Sequence, residues 1–330
     1  YSGTDYFTDA TVYARYLVAI FAMIVTEHLA DSRIVLMTKY FRDAQLLNAR
    51  ERVRFSAAVS RADRRASSHR AELLILVVAF AWSVVTTRTA TVISVETWEG
   101  AMTAGDTIGL SWAGEVSAFT SNAFFLFLVL RWFWRFYIWA ALLRQTASLG
   151  LQIMPMHPDR CGGLGFLAIF PSIFSGFIFA LSCVVAASFH KAVPMLGDSE
   201  QLIWLASAIW LALVLIIFLG PLLVFSRPLY LAREAALLEY GRLAHEHHLE
   251  FHRKWIVGAG DGRGIVGSAD PSSVSDLNAS VQTVNEMQTF PVDRRAVFLL
   301  LVSAGIPMLV MAALQMPVGE LLKLIMGVLL

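Results

Sequence analysis

The apolar residues of this chain fall in discrete runs of roughly 18 to 25, the length an α-helix needs to cross the hydrocarbon of a bilayer. Such runs cover about Tyr16–Met37, Ala71–Ile93, the stretch from Ser117 to Tyr137, Leu164–Ser188, Leu202–Phe225 and Ala296–Leu314. Composition agrees: of 330 residues, 57% are hydrophobic and 15% charged, whereas soluble chains carry about 25% charged residues. The expected fold class is an all-α membrane protein, a polytopic helical bundle of about six transmembrane helices with helical extensions on the cytoplasmic side.

The segments between the runs differ in charge. Residues 38–70 hold nine Lys or Arg, 141–163 hold two and 226–295 hold eight, so 19 of the 26 lie in three segments that share one side of the membrane. Residues 96–115 hold Glu96, Glu99, Asp106 and Glu115 with no Lys or Arg. The positive-inside rule then places the basic segments in the cytoplasm. The run Arg131-Trp132-Phe133-Trp134-Arg135-Phe136-Tyr137 reads as an aromatic belt where the third span meets that side. Nothing in the charge pattern suggests nucleic acid.

Along the chain, residues 1–37 form a tail and a polar first span, and 38–70 a basic helical segment. Spans two to five occupy 71–225. Residues 226–295 hold a His-rich helix to about Trp255, a Gly-rich loop and a short helix to about Met287, opened by a Ser273/Asp276 capping box. The last span and a short amphipathic tail fill 296–330. The run from Gly258 to Gly264 lacks the register of a nucleotide fingerprint and reads as loop. Cys161 and Cys183 fall on different kinds of surface, so no disulfide is expected.

Three groups of residues carry chemistry. On the His-rich helix, His245, His248 and His252 are spaced i, i+3, i+7, which puts three imidazoles on one face; a transition metal such as Zn²⁺ is one reading. The other is packing, because Leu237, Tyr240, Ala244, His248, Phe251 and Trp255 form an apolar stripe. Membrane diiron enzymes need several His boxes, and here only His248 to His252 has the HxxxH spacing.

Inside the membrane, ionisable groups face one another, a water cavity or the bundle interior. Glu27 and His28 fall near the middle of the first span, Asp31 one turn further on, and Arg131 at a similar depth in the third. A Glu27–Arg131 or Asp31–Arg131 pair is expected, either lining an ion or proton path or holding two helices together.

The third group is the loop His157-Pro158-Asp159-Arg160-Cys161-Gly162-Gly163. A Gly-rich turn before a helix offers free backbone N–H groups, so His157, Asp159, Arg160, Gly162 and Gly163 form a candidate anion-binding loop. Alternatively Asp159 caps the helix itself. This loop, with Ser275-Asp276-Leu277, Phe290-Pro291-Val292-Asp293 and Leu321-Leu322-Lys323, resembles uncharacterised bacterial multi-pass inner-membrane proteins. The resemblance implies a bacterial inner membrane and no activity.

The functional expectation is an ion channel or transporter-like homo-oligomer in the lipid bilayer. The alternatives are an accessory subunit with a membrane-complex partner and a metal-dependent membrane enzyme.

Overall fold

The computed structural model describes residues 9–93, 100–102, 108–196, 200–258 and 268–315. The apolar tail from Pro317, the Leu321-Leu322-Lys323 motif, most of the Gly258–Gly264 run and much of 96–115 lie outside these residues.

Among the described residues, six helices are long and apolar enough to cross a bilayer: Ala10–Asp43, His69–Thr89, Gly114–Ala147, Gly165–Phe189, Trp204–Val257 and Arg294–Ala313. They fall on the six apolar runs, and the chain is a multi-pass membrane protein with an all-α bundle. We call them α1, α3, α4, α5, α6 and α8; α2 is Ala49–Ala66 and α7 is Asp270–Asn285. Among the described residues the sole sheet is a two-stranded ribbon, Gly100–Met102 against Ile108–Leu110, between α3 and α4.

Several helices overrun the bilayer. At 1.5 Å per residue a helix of 34 residues is about 50 Å long against a hydrocarbon core of about 30 Å. Both α1 and α4 have that length. Most charged residues of both lie in the second half, which is therefore read as the part outside the membrane, and with α2, the far half of α6 and α7 these halves build a helical platform.

The basic segment expected to be helical holds one helix, α2, started where the Asn48 side chain accepts the Glu51 N–H at 2.8 Å. α7 begins at Asp270, three residues before the expected box, because Pro271 fits the first turn and the Ser273 hydroxyl turns back to the Asp270 carbonyl at 2.8 Å. In α6, Gly220–Phe225 tightens to a 3₁₀ run without ending the helix.

In the membrane, α5 is the central helix, packed against α1 and α8, while α3 packs on α4 and α8 also touches α6. Lipid is as apolar as leucine, so close van der Waals contact holds such helices, and small residues permit it. Ala180, Ala186 and Ala187 of α5 and Ala304 of α8 are buried accordingly. Gly176 lies so close to α1 that an added Cβ would stand 1.9 Å from Thr26 Oγ1.

The expected aromatic belt is split by the helical period. Trp132 and Phe136 point inward, Trp132 stacked on Phe177 at 5.3 Å and Phe136 against Phe218 at 4.9 Å. Trp134 and Tyr137 stack on each other at 5.6 Å, with Tyr137 exposed. Arg131 and Arg135, one turn apart, take a third direction, toward α1.

Candidate functional site: charged and polar layers between α1, α3 and α4

Residues four apart on a helix share a face. Glu27 and Asp31 have this spacing on α1, and Arg131 and Arg135 have it on α4. The two pairs meet. Arg131 Nη1 donates to Glu27 Oε2 at 2.9 Å and Nη2 lies 2.8 Å from Oε1, a two-pronged contact. Arg135 spans the two carboxylates, 3.3 Å from Glu27 Oε1 and 3.3 Å from Asp31 Oδ1. A third carboxylate, Glu72 of α3, approaches Arg131 Nε at 3.6 Å.

Three carboxylates thus share two guanidinium groups, a formal excess of one negative charge. Arg is suited to this junction because its planar fork serves more than one acceptor at once.

Depth differs from the sequence expectation. Glu72 lies in the first turn of α3, which begins at His69, so the cluster sits at the platform end of that helix and not mid-membrane. The sequence placed Glu27 centrally because it counted along the apolar run of one helix, whereas the height of the cluster is set by a neighbouring helix, through Glu72 at the start of α3. His28 does not join the cluster. One residue past Glu27 is a 100° turn of the helix, and that turn leaves His28 exposed on another side.

A second polar layer lies further into the bundle. Arg15 Nη1 donates to Asn122 Oδ1 at 3.2 Å, Asn122 Nδ2 to Ser83 Oγ at 2.9 Å, and the Ser83 hydroxyl to the Ala118 carbonyl at 2.7 Å. Tyr16 and Ser117 hydroxyls meet at 3.1 Å beside it. Arg15 lies within the π-helical stretch Tyr13–Ala19, and its Nε is buried with no hydrogen-bond partner. Both layers bridge the same three helices. Asn122 precedes Arg131 by nine residues, so the layers are about 13 Å apart along α4. Buried Phe125, Leu128 and Val129 separate them.

Sequence reading missed Arg15, Ser83, Asn122, Glu72 and Arg135 as site residues. The matched four-residue spacings of Glu27/Asp31 and Arg131/Arg135 were the available signal for the last of these.

In the Gly-rich loop the anion is supplied from within. Asp159 Oδ1 accepts the N–H groups of Cys161 at 2.8 Å and Gly163 at 3.1 Å, and Oδ2 that of Gly165 at 2.7 Å. His157 Nδ1 stands 2.9 Å from Oδ1. Desolvation pushes the carboxyl up, but these backbone donors and His157 outweigh it and hold Asp159 below its ordinary value. Its own carboxylate fills the cradle expected for an external anion. Burial and the neighbouring Asp159 charge push the Cys161 thiol up to about 11.

The turn requires its glycines: Gly162 and Gly163 have φ of 62° and 92°, and a Cβ on Gly162 would stand 2.2 Å from Ile153 Cγ2. Arg160 leaves the loop to pair with Glu286 at 3.1 Å, and its carbonyl accepts Gln288 N–H at 2.7 Å. The loop is thereby the joint between α5 and the segment after α7.

The structure does not bring the three His-helix residues together around one point. Among the described residues no group of three His, Cys, Asp or Glu is placed to hold a metal. His245 and His252 are seven residues apart, about 10 Å along the axis, beyond the reach of one ion. His248 instead donates Nδ1–H to its own Ala244 carbonyl at 2.6 Å. The packed stripe runs through Tyr240, Ala244, His247, Phe251 and Trp255, so His247, not His248, faces α7, donating to Ser273 Oγ at 3.0 Å. Asp270 closes the far end of this hairpin, accepting Trp255 Nε1–H at 2.9 Å and pairing with Lys254.

Comparison with protein-family models, curated proteins and solved structures gives no match.

Proposed function

We propose that the protein is an ion channel or transporter-like homo-oligomer of a bacterial inner membrane, with the basic platform in the cytoplasm. The observation that carries the reading is the Glu27, Asp31, Glu72, Arg131 and Arg135 cluster, where α1 touches α4 only sparingly. Charged groups at membrane-crossing helices mark ion and substrate paths, and an excess carboxylate attracts cations to one end of the seam. The Arg15–Asn122–Ser83 layer gives the same seam polar groups deeper in the bundle. The apolar residues between the layers act as its closed gate.

Assembly is supported by α6. Leu231, Ala235, Leu238, Arg242, His245, Leu249 and His252 are all exposed and alternate at four- and three-residue spacing, the repeat of a helix that packs on another helix. The same row supports a second reading, an accessory subunit whose partner helix covers it.

Cation flux into liposomes reconstituted with the whole chain tests the transport reading. Flux that changes at least severalfold in Arg131→Gln and Glu72→Gln supports it; absence of flux, or flux unchanged in both variants, overturns it. Solution mass of Leu238→Glu against the unaltered protein tests the assembly: a fall to the monomer is expected, and a monomeric starting protein refutes the homo-oligomer.

A further inference from the structure

The outer side of α1 carries an apolar groove against α5 of about 550 Å³, lined by Leu17, Val18, Phe21, Ala22, Val25 and Thr26 with Phe179 opposite. Its position along the bilayer follows from the charge cluster. Thr26 is the residue before Glu27, which meets Glu72 through Arg131 at the platform end of α3. From Thr26 back to Leu17 is nine residues, about 14 Å of helix, against about 15 Å for the hydrocarbon of one leaflet. The groove spans one leaflet, the one on the platform side.

What lies past its lower end is polar. Two side-chain ridges of α1 run out of the groove at helical spacing, one through Phe21, Val25, His28 and Ser32, the other through Ala22, Thr26, Leu29 and Arg33. His28, Ser32 and Arg33 are all exposed. They stand roughly 3–10 Å along the axis beyond Thr26, which is the depth of the headgroup layer. Asp31 is turned to Arg135, while Arg33 has no ion pair among the described residues. The imidazole, hydroxyl and guanidinium all offer hydrogen-bond donors, and Arg33 a positive charge, at the headgroup end of the groove. A phosphate answers all three.

We propose that this groove binds an anionic phospholipid of the platform-side leaflet, one acyl chain between α1 and Phe179 and the phosphate at Arg33, Ser32 and His28. This role also accounts for His28, which the charge cluster leaves out. The site is independent of whether the protein transports ions.

Native mass spectrometry of the detergent-solubilised whole chain tests it, with 1-palmitoyl-2-oleoyl phosphatidylglycerol and the matching phosphatidylcholine as probes. The expected result is one phosphatidylglycerol retained in preference to phosphatidylcholine. Arg33→Gln should weaken retention about fivefold, the value of one interfacial cation. Ala22→Phe, which fills the groove, should abolish retention of both lipids at unchanged helix content; Val18→Phe is the second filler if that variant fails to fold. Equal retention of the two lipids, or undiminished retention in a folded filler variant, overturns the proposal. So does a filler that only splits an oligomer, which would identify a second copy as the occupant.

Discussion

Arg131 of α4 holds Glu27 of α1 with both ends of its guanidinium, at 2.8 and 2.9 Å, although 104 residues separate them in sequence. The contact ties together two helices that otherwise meet little, so its removal reports directly on how α1 is held.

Removing one partner leaves the other partly desolvated with only its longer contact, Glu27 to Arg135 at 3.3 Å or Arg131 to Glu72 at 3.6 Å, and that adds to the cost of each single variant. Glu27→Gln and Arg131→Gln should each destabilise the detergent-solubilised protein, and the double variant should lose less than the sum. A coupling energy on the order of 2 kcal/mol is expected from thermal or denaturant unfolding of the four proteins. Strict additivity would show that the pair contributes nothing to the fold.

Asp159 organises the loop before α5. Asp159→Ala strips the acceptor from three backbone N–H groups and should cost about 3 kcal/mol, the loop opening first in hydrogen exchange. Because its folded-state value is depressed, the stabilisation is fully present above about pH 4 and is lost as pH falls through the folded value below that. Asp159→Asn should flatten this acid limb of the stability profile.

The same carboxylate protects Cys161. With its thiol raised to about 11 by burial and by Asp159, Cys161 should react with iodoacetamide at pH 8 far more slowly than an unfolded-chain cysteine. Asp159→Asn should speed the reaction, followed by mass spectrometry of the loop peptide.

At the α1–α5 crossing, Gly176→Ala sets a Cβ against Thr26 Oγ1 at 1.9 Å and Thr26 Cγ2 at 3.2 Å. The overpacking should cost about 1–3 kcal/mol. Thr26→Ala removes Oγ1 and Cγ2 and leaves only the Cβ at 3.1 Å, so the Gly176→Ala/Thr26→Ala protein should recover much of that loss in the same unfolding measurement.

On the α6–α7 hairpin, His247→Ala should raise hydrogen exchange across Asp270–Asn285, since His247 donates to Ser273 there. His245→Ala and His252→Ala should leave that exchange unchanged, because both side chains are exposed on the other face.

The sequence by itself determined what depends on neighbouring residues only. Apolar runs long enough to cross a bilayer mark six spans, because hydropathy sums along a single helix, and the basic residues crowd into three of the segments between them. It also narrowed the charge cluster to a pairing of Glu27 or Asp31 with Arg131. Tertiary structure decided the rest. Whether Glu27 meets Arg131, Arg135 or both depends on the rotation and height of α1 against α4, which no local pattern encodes. Glu72 entered the cluster because α3 starts at that height, and Arg15 found Asn122 and Ser83 for the same reason. His247 replaced His248 in the packed stripe because a 100° step decides which imidazole meets α7. Asp159 filled its own loop because a chain turning through two left-handed glycines brings the three N–H groups onto one carboxylate. Each of these is a relation between elements, and only packing fixes it.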